Sequence, residues 1–286
     1  MSWSIRDKVV LITGGASGIG LATATELATR GALVTITSRS SEKAEAAADA
    51  IQNSTGAKVQ PLALDLSRIG AIDSFLHRYR KMRDAVDVLI NNAGTISGKR
   101  RLTEEGFELT FASNYLGPFY LTNQLLPLLS SKEGARILNV SSELYRNAKG
   151  GLDFGDLQLD RGFSSSQAYA NSKLALMLFT LELRQRYKSI DSFALHPGVI
   201  RTGFGTAPES GLSMSVMMKL LGPMLKKPEY GAQSSVLLAT APKAELKSSW
   251  YWSEGSPANP LPIANDSKVS NELWKFTEEL IRKAKA

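Results

Sequence analysis

The stretch "KVVLITGGASGIGLATATELATRGALVTITSRS" occupies residues 8–40. Its first six residues, "KVVLIT", form a short β-rich apolar run without alternation, as expected of a strand buried on both faces. "GIGLATATELATRG" (18–31) has helical periodicity and closes on a glycine. "ALVTITS" (32–38) reads as a second strand. Strand, glycine-rich turn, helix, strand is one βαβ unit, and "TGGASGIG" (13–20) is the turn. Gly14, Gly18 and Gly20 permit a tight turn and let backbone approach a pyrophosphate, with the helix N-terminus behind it. No Lys-Ser/Thr follows the last glycine, so an ATP-hydrolysing P-loop is not expected.

The alternation continues outward. "SEKAEAAADAIQNS" (41–54) is helical and "AKVQPLALDL" (57–66) strand-like, with Pro61 better suited to a strand start or edge than to a centre. A helix at about 67–83, a strand "VDVLINN" (86–92), a long helical region at about 103–130 and a strand "ARILNVSS" (135–142) follow. A polar loop reaches to about 165, an apolar helix to about 188, and "DSFALHP" (191–197) forms a further strand. "NELWKFTEELIRKAKA" (271–286) reads as an amphipathic closing helix. Helices between successive strands imply an α/β fold: one domain over 1–286, with a doubly wound parallel sheet covered on both faces.

Composition narrows the chemistry. There is no cysteine, hence no disulfide and no thiol nucleophile, and the two histidines, His77 and His196, are too few for a histidine-rich metal site. No metal is expected. The net charge is +7, but the basic residues are scattered and the clusters 77–83 and 98–101 are short, so nucleic acid is not an expected partner. No leader and no run of the ~18 apolar residues a span requires are visible, so a cytoplasmic protein is expected.

The second strand ends at Ser38-Arg39. An acid there would hold a ribose hydroxyl; Arg39 instead offers a planar fork suited to a 2′-phosphate, and Lys43 adds charge one turn on. NADP(H) is therefore expected over NAD(H). Asp65 and Leu66, ending the third strand, are placed near the adenine, with a capping role as the alternative for Asp65.

Six motifs occur in order: "TGGASGIG" (13–20), "NNAG" (91–94), Asn114, "NVSS" (139–142), "YANSK" (169–173) and "HPG" (196–198). The set resembles the short-chain dehydrogenase/reductase family in its compact single-domain, Rossmann-fold branch. "GFELTFASNYLGPFYLT" (106–122) and residues 169–187 are most similar to its retinol-dehydrogenase-like members. The resemblance implies catalytic roles for Asn114, Ser142, Tyr169 and Lys173. It implies a pyrophosphate loop of Gly14, Ser17, Gly18, Ile19 and Gly20, a pocket floor at Asn92, Ala93 and Gly94, and a nicotinamide contact at Pro197, Gly198 and Thr202, with Tyr169 and Lys173 also touching the cofactor. It further implies a lipophilic carbonyl or alcohol as substrate and a lid over about 199–228.

The chemistry suits those residue types. Hydride transfer requires a cofactor, because no side chain donates two electrons. Positions four apart on a helix are neighbours, so Lys173 lies beside Tyr169 and is expected to lower the phenol below its usual ~10. Ser142, at a strand end, is suited to stabilising charge on the carbonyl oxygen. Asn114 is placed to bond water through a locally opened backbone turn, completing a proton path from Lys173. Two other readings stand beside this one. A nucleotide-sugar epimerase would call for glycine where Ser17 stands, and a silent NADP(H)-binding sensor commonly loses the Tyr, Lys or Ser that this chain keeps. Ser142 and Tyr169 stand 27 positions apart, a longer gap than in many compact members of the family it resembles, which implies that 143–165 is an insertion that covers the cleft or blocks helix pairing, leaving monomer and homodimer both open.

Overall fold

The computed structural model describes residues 3–130, 134–200, 225–246 and 249–285. Eight strands form one sheet in the order β3-β2-β1-β4-β5-β6-β7-β8. They are β1 (Val9–Ile12), β2 (Leu33–Ser38), β3 (Gln60–Ala63), β4 (Val88–Asn91), β5 (Arg136–Val140), β6 (Asp191–His196), β7 (Tyr251–Ser253) and β8 (Ser256–Pro257). All neighbouring pairs are parallel except β7 with β8. The chain reverses direction across the sheet between β1 and β4, and ligands of such sheets bind at that crevice, beyond the strands' carboxyl ends. The expected α/β doubly wound fold is the one observed.

The period-2 pleat sorts the core into two layers. Val10 and Ile12 of β1, with Val88 and Ile90 of β4, pack against helices α1 (Gly18–Thr29) and α2 (Ser41–Thr55). Leu11, Leu89 and Ile137 face helix α3 (Ile69–Met82) and two long helices, α5 (Gly117–Ser130) and α6 (Ser165–Arg186). Every residue of α6 from Ala168 to Leu183 is buried. That follows from its neighbours. The sheet lies beneath it, α5 beside it, and the closing helix α8 (Ser267–Ala284) along its outer side. Trp274 of α8 sits 4.9 Å from the Phe119 ring and 5.7 Å from that of Phe179, between centroids.

Pro61 is tolerated because β3 is the edge strand. Other expectations need correction. The helical region expected from about 103 begins at Leu109. Residues 103–108 form a turn, with Leu102 bridged to Glu108 and Gly106 at φ +82°. A short helix α4 (Leu109–Phe111) then runs into a π-turn at Ala112–Leu116 before α5. The closing helix starts four residues early, at Ser267, because Asp266 accepts hydrogen bonds from the N–H groups of Lys268 and Val269. Strands β7 and β8 and a helix α7 (Pro228–Thr240) were not anticipated. Most of the expected lid, including Thr202, lies outside the described residues.

The insertion packs against β7 and α8. Its Tyr145 is buried edge-on to Tyr251, 6.0 Å between centroids, and Phe154 meets Phe276 of α8. The Gln158 carbonyl accepts from Arg100, whose guanidinium also pairs with Asp160.

Gly117, at the start of α5, lies so close to Leu66 that an added Cβ would overlap its backbone carbonyl. Gly117→Ala is expected to destabilise the fold by about 3 kcal/mol, since neither backbone can yield without disturbing the core. Chemical denaturation of the variant beside wild type measures this; an unchanged midpoint would contradict the close approach.

Candidate active site

The loop after β1 is held to the loop after β4 by one threonine. Thr13 Oγ1 accepts from the N–H groups of Asn92 (3.0 Å) and Ala93 (3.1 Å), while Asn92 Nδ2 donates to the carbonyls of Thr13 (2.9 Å) and Gly14 (3.2 Å). Gly14 has φ +65°, and a Cβ there would press on the Ala93 backbone; one on Gly20 would overlap the Gly14 carbonyl and the Asn92 amide. No side chain caps α1 at its extended N-cap, Ser17, and no acid stands in its first turn. Glycine backbone, uncapped N–H groups and the positive helix end fit a pyrophosphate. Gly18 also takes positive φ, +52°, and the Ile19 side chain packs toward Gly231 of α7.

At the end of β2, Ser38 is half-buried and Arg39 and Lys43 are exposed. The Lys43 N–H donates to Ser40 Oγ, fixing the start of α2 beside Arg39. Asp65 caps a turn, its Oδ1 accepting from the Ser67 N–H (2.9 Å) and hydroxyl (2.7 Å). Leu66 is buried against Gly117.

Four candidate residues converge at the carboxyl ends of β4 and β5. The Ser142 hydroxyl stands near enough to the Tyr169 phenol to favour its ionised form. Lys173 Nζ lies 5.6 Å from the Tyr169 ring centroid and donates to the Val140 carbonyl at 2.8 Å. The exposed Gly94 leaves room between groups: Lys173 Nζ and Asn114 Oδ1 each lie 3.6 Å from the place its Cβ would take. The Asn114 side chain is engaged throughout. Its Oδ1 accepts from the Thr95 N–H (2.8 Å), and its Nδ2 donates to the Thr95 carbonyl (2.9 Å) and Ser172 Oγ (3.0 Å). Asn114 stands within the π-turn, the wider backbone opening expected there. Pro197 and Gly198 follow β6 directly, Gly198 with φ +91°.

Electrostatics depart from the sequence-based expectation. Burial pushes the Tyr169 phenol up to about 12, with the Ser142 hydroxyl pulling against it. The expected lowering by Lys173 is not among the causes; the one lowering influence is Ser142. Lys173 is itself driven down to about 8 by burial.

Sequence reasoning missed several groups. Thr13 and Ser172 carry the contacts that pin the cofactor loop and Asn114, yet each looks like any small polar residue in an apolar context. Leu144 (50 % exposed) and Val199 (63 %) leave apolar side chains beside Ser142 and Gly198. Among the described residues, no group of three His, Asp or Glu is placed to hold a metal, and no helix is long and apolar enough to cross a membrane.

A short chain dehydrogenase profile matches residues 8–153. The chain belongs to that family, and it is an NAD(P)-dependent oxidoreductase. Within the family it is retinol-dehydrogenase-like. It is 38% identical to mouse (Mus musculus) retinol dehydrogenase 13 over 292 residues, covering 99% of this chain and 86% of that one. It is 36% identical to human (Homo sapiens) retinol dehydrogenase 14, covering 97% and 87%. An uncharacterized protein from Mycobacterium paratuberculosis superposes with a TM-score of 0.74 at 30% identity, covering 98% of this chain and 96% of its own. A short chain dehydrogenase from Shigella flexneri, complexed with NADP, shares the fold with a TM-score of 0.66 at 23% identity, over 89% and 99%.

Proposed function

We propose that this enzyme reduces a lipophilic carbonyl with NADPH, and in reverse oxidises the alcohol, with Tyr169 as general acid. The observation that carries the reading is the Ser142–Tyr169–Lys173 cluster on the rim where the glycine loop opens. Bound nicotinamide supplies the hydride. Ser142 donates to the carbonyl oxygen as negative charge grows there. Tyr169, a neutral phenol well above pH 7, hands that oxygen its proton. Lys173, with a pKa of about 8, holds and returns a proton in the working range, and the opened backbone of the π-turn at Asn114 would hold the water that passes it on. Lys173 and the backbone of Asn92, Ala93, Gly94, Pro197 and Gly198 would hold the nicotinamide end of the cofactor.

Leu144 and Val199 support a lipophilic substrate, since exposed apolar side chains beside the reacting groups gain by being covered. Retinal, the aldehyde of the alcohol for which several relatives are named, and nonanal are the probes of choice, with glyceraldehyde as polar control. NADPH oxidation with the first two and not the third is expected; the reverse preference would refute the apolar reading.

Arg39 and Lys43 support NADP(H). Arg39→Asp removes the phosphate fork and installs an acid for the ribose hydroxyl. Charge-assisted bonds of ~1.5–3 kcal/mol imply a shift of roughly 100-fold in the NADPH/NADH ratio of kcat/KM. An unchanged ratio would remove Arg39 from the cofactor site.

A further inference from the structure

Ser142 stands at the end of β5 and Pro197–Gly198 at the end of β6, and one imidazole joins the two rims. His196 is 7 % exposed, and its Nδ1 accepts the Glu143 backbone N–H at 3.3 Å. Its own carbonyl accepts from the Glu254 N–H at 2.9 Å, and the Glu254 side chain lies 3.2 Å from where a Cβ on Gly198 would stand. The Glu143 carboxylate bonds the Tyr251 hydroxyl of β7 and pairs with Arg146. The residue next to Ser142 is thus gripped on its backbone by β6 and on its side chain by β7. The proton transfer described above uses none of these groups.

We propose that His196 is a positioning residue: its neutral imidazole accepts the Glu143 N–H and so sets Ser142 against Tyr169 across the Pro197–Gly198 turn. The inference rests on Ser142 and Tyr169 being the reacting pair. An N–H aimed at Nδ1 requires that nitrogen to be unprotonated, which places the neutral ring's proton on Nε2. A second proton sets two donors head to head and pushes the Ser142 turn off its place. Burial lowers the His196 pKa most; the carboxylates of Glu143 and Glu254 favour charging, and Lys173 and Lys226 oppose it. The brace is therefore intact at neutral pH and released on acidification below histidine's ordinary ~6.5.

The protein has two histidines, and His77 is exposed, so uniform nitrogen-15 labelling with NADP+ bound gives two imidazole ring systems, assigned by His77→Gln, alongside the backbone amides. The expected result is an Nε2–H tautomer for His196, titrating below ~6.5, with the Glu143 and Gly198 amide signals moving at the same midpoint. Glu143→Gln removes a carboxylate that favours the charged ring, so the midpoint moves to lower pH. An Nδ1–H tautomer, or a titration that leaves the Glu143 amide unmoved, overturns the proposal. These readouts need no turnover. In NADPH-dependent nonanal reduction, His196→Leu is expected to lower kcat ~10-fold with NADPH affinity held within ~3-fold, the loss of about one hydrogen bond. His196→Asn, which keeps an acceptor and cannot be charged, restores kcat and removes the acid limb of the pH profile. Equal losses in both variants would reduce His196 to packing and overturn the proposal. Undiminished turnover in Tyr169→Phe would refute the underlying mechanism while leaving the ring titration as it is.

Discussion

Tyr169→Phe lowers turnover about 1,000-fold and leaves NADPH affinity within about 3-fold, the range a lost general acid accounts for. The substitution deletes one oxygen and keeps the ring, so the buried end of α6 stays packed. What disappears is the proton donor, while the Ser142 hydroxyl beside it remains. Ser142 keeps its contact with the Leu144 N–H, so the carbonyl oxygen still finds one donor but no acid. Single-turnover reduction of nonanal, paired with a fluorescence titration of NADPH, separates the two quantities. The phenol's pKa of about 12 sets a direction as well. Reduction uses the abundant protonated form, whereas oxidation starts from the rare phenolate and accelerates as pH rises. Normal turnover in the variant, or oxidation that slows with alkali, would end the assignment of Tyr169.

Lys173→Met is expected to move activity and stability in opposite directions. Turnover falls at least ~100-fold, because the amine that returns protons to the phenol is gone. Stability at pH 7 rises by up to about 3 kcal/mol, which for a chain of this size corresponds to several degrees in Tm. The cause is burial, which takes the ammonium from an ordinary ~10.4 to about 8. Between those values the unfolded chain binds more protons than the native one, so wild-type stability climbs with pH across that window. Below pH 8 the cost of the buried charge is carried in full. Methionine fills similar volume without it. Thermal melts at pH 7 and pH 10 should show the variant's advantage at the first and its shrinkage at the second. A variant less stable than wild type at pH 7 would mean that the Val140 carbonyl bond compensates the buried ammonium entirely.

The parallel strands were legible because they are short, continuous apolar runs bounded by turn residues, from Val9–Ile12 to Asp191–His196. The glycine loop was legible from its place between strand and helix, and the Tyr169/Lys173 pair from the resemblance that six ordered motifs bear to a known family. Other features had no local signal. Helix α7 is buried on too many sides to show a polar stripe, so "PEYGAQSSVLLAT" carries no clear period. Strand β7 has three residues and exists through pairing with β6. The π-turn at Asn114 is one extra residue in a helical ring, which no periodicity argument resolves. The phenol's pKa went the other way because it is raised by burial, which is a property of the whole fold and not of a neighbour four positions along the chain.

A helix walled in from Ala168 to Leu183 has a consequence for how such a catalyst can diversify. Close-packed surroundings leave no slack for a bulkier or smaller neighbour, so the segment carrying the phenol and the amine is effectively frozen against remodelling. New appetites for other molecules have to arise at the strand-end loops, where Leu144 and Val199 already face outward and a change of size disturbs nothing beneath.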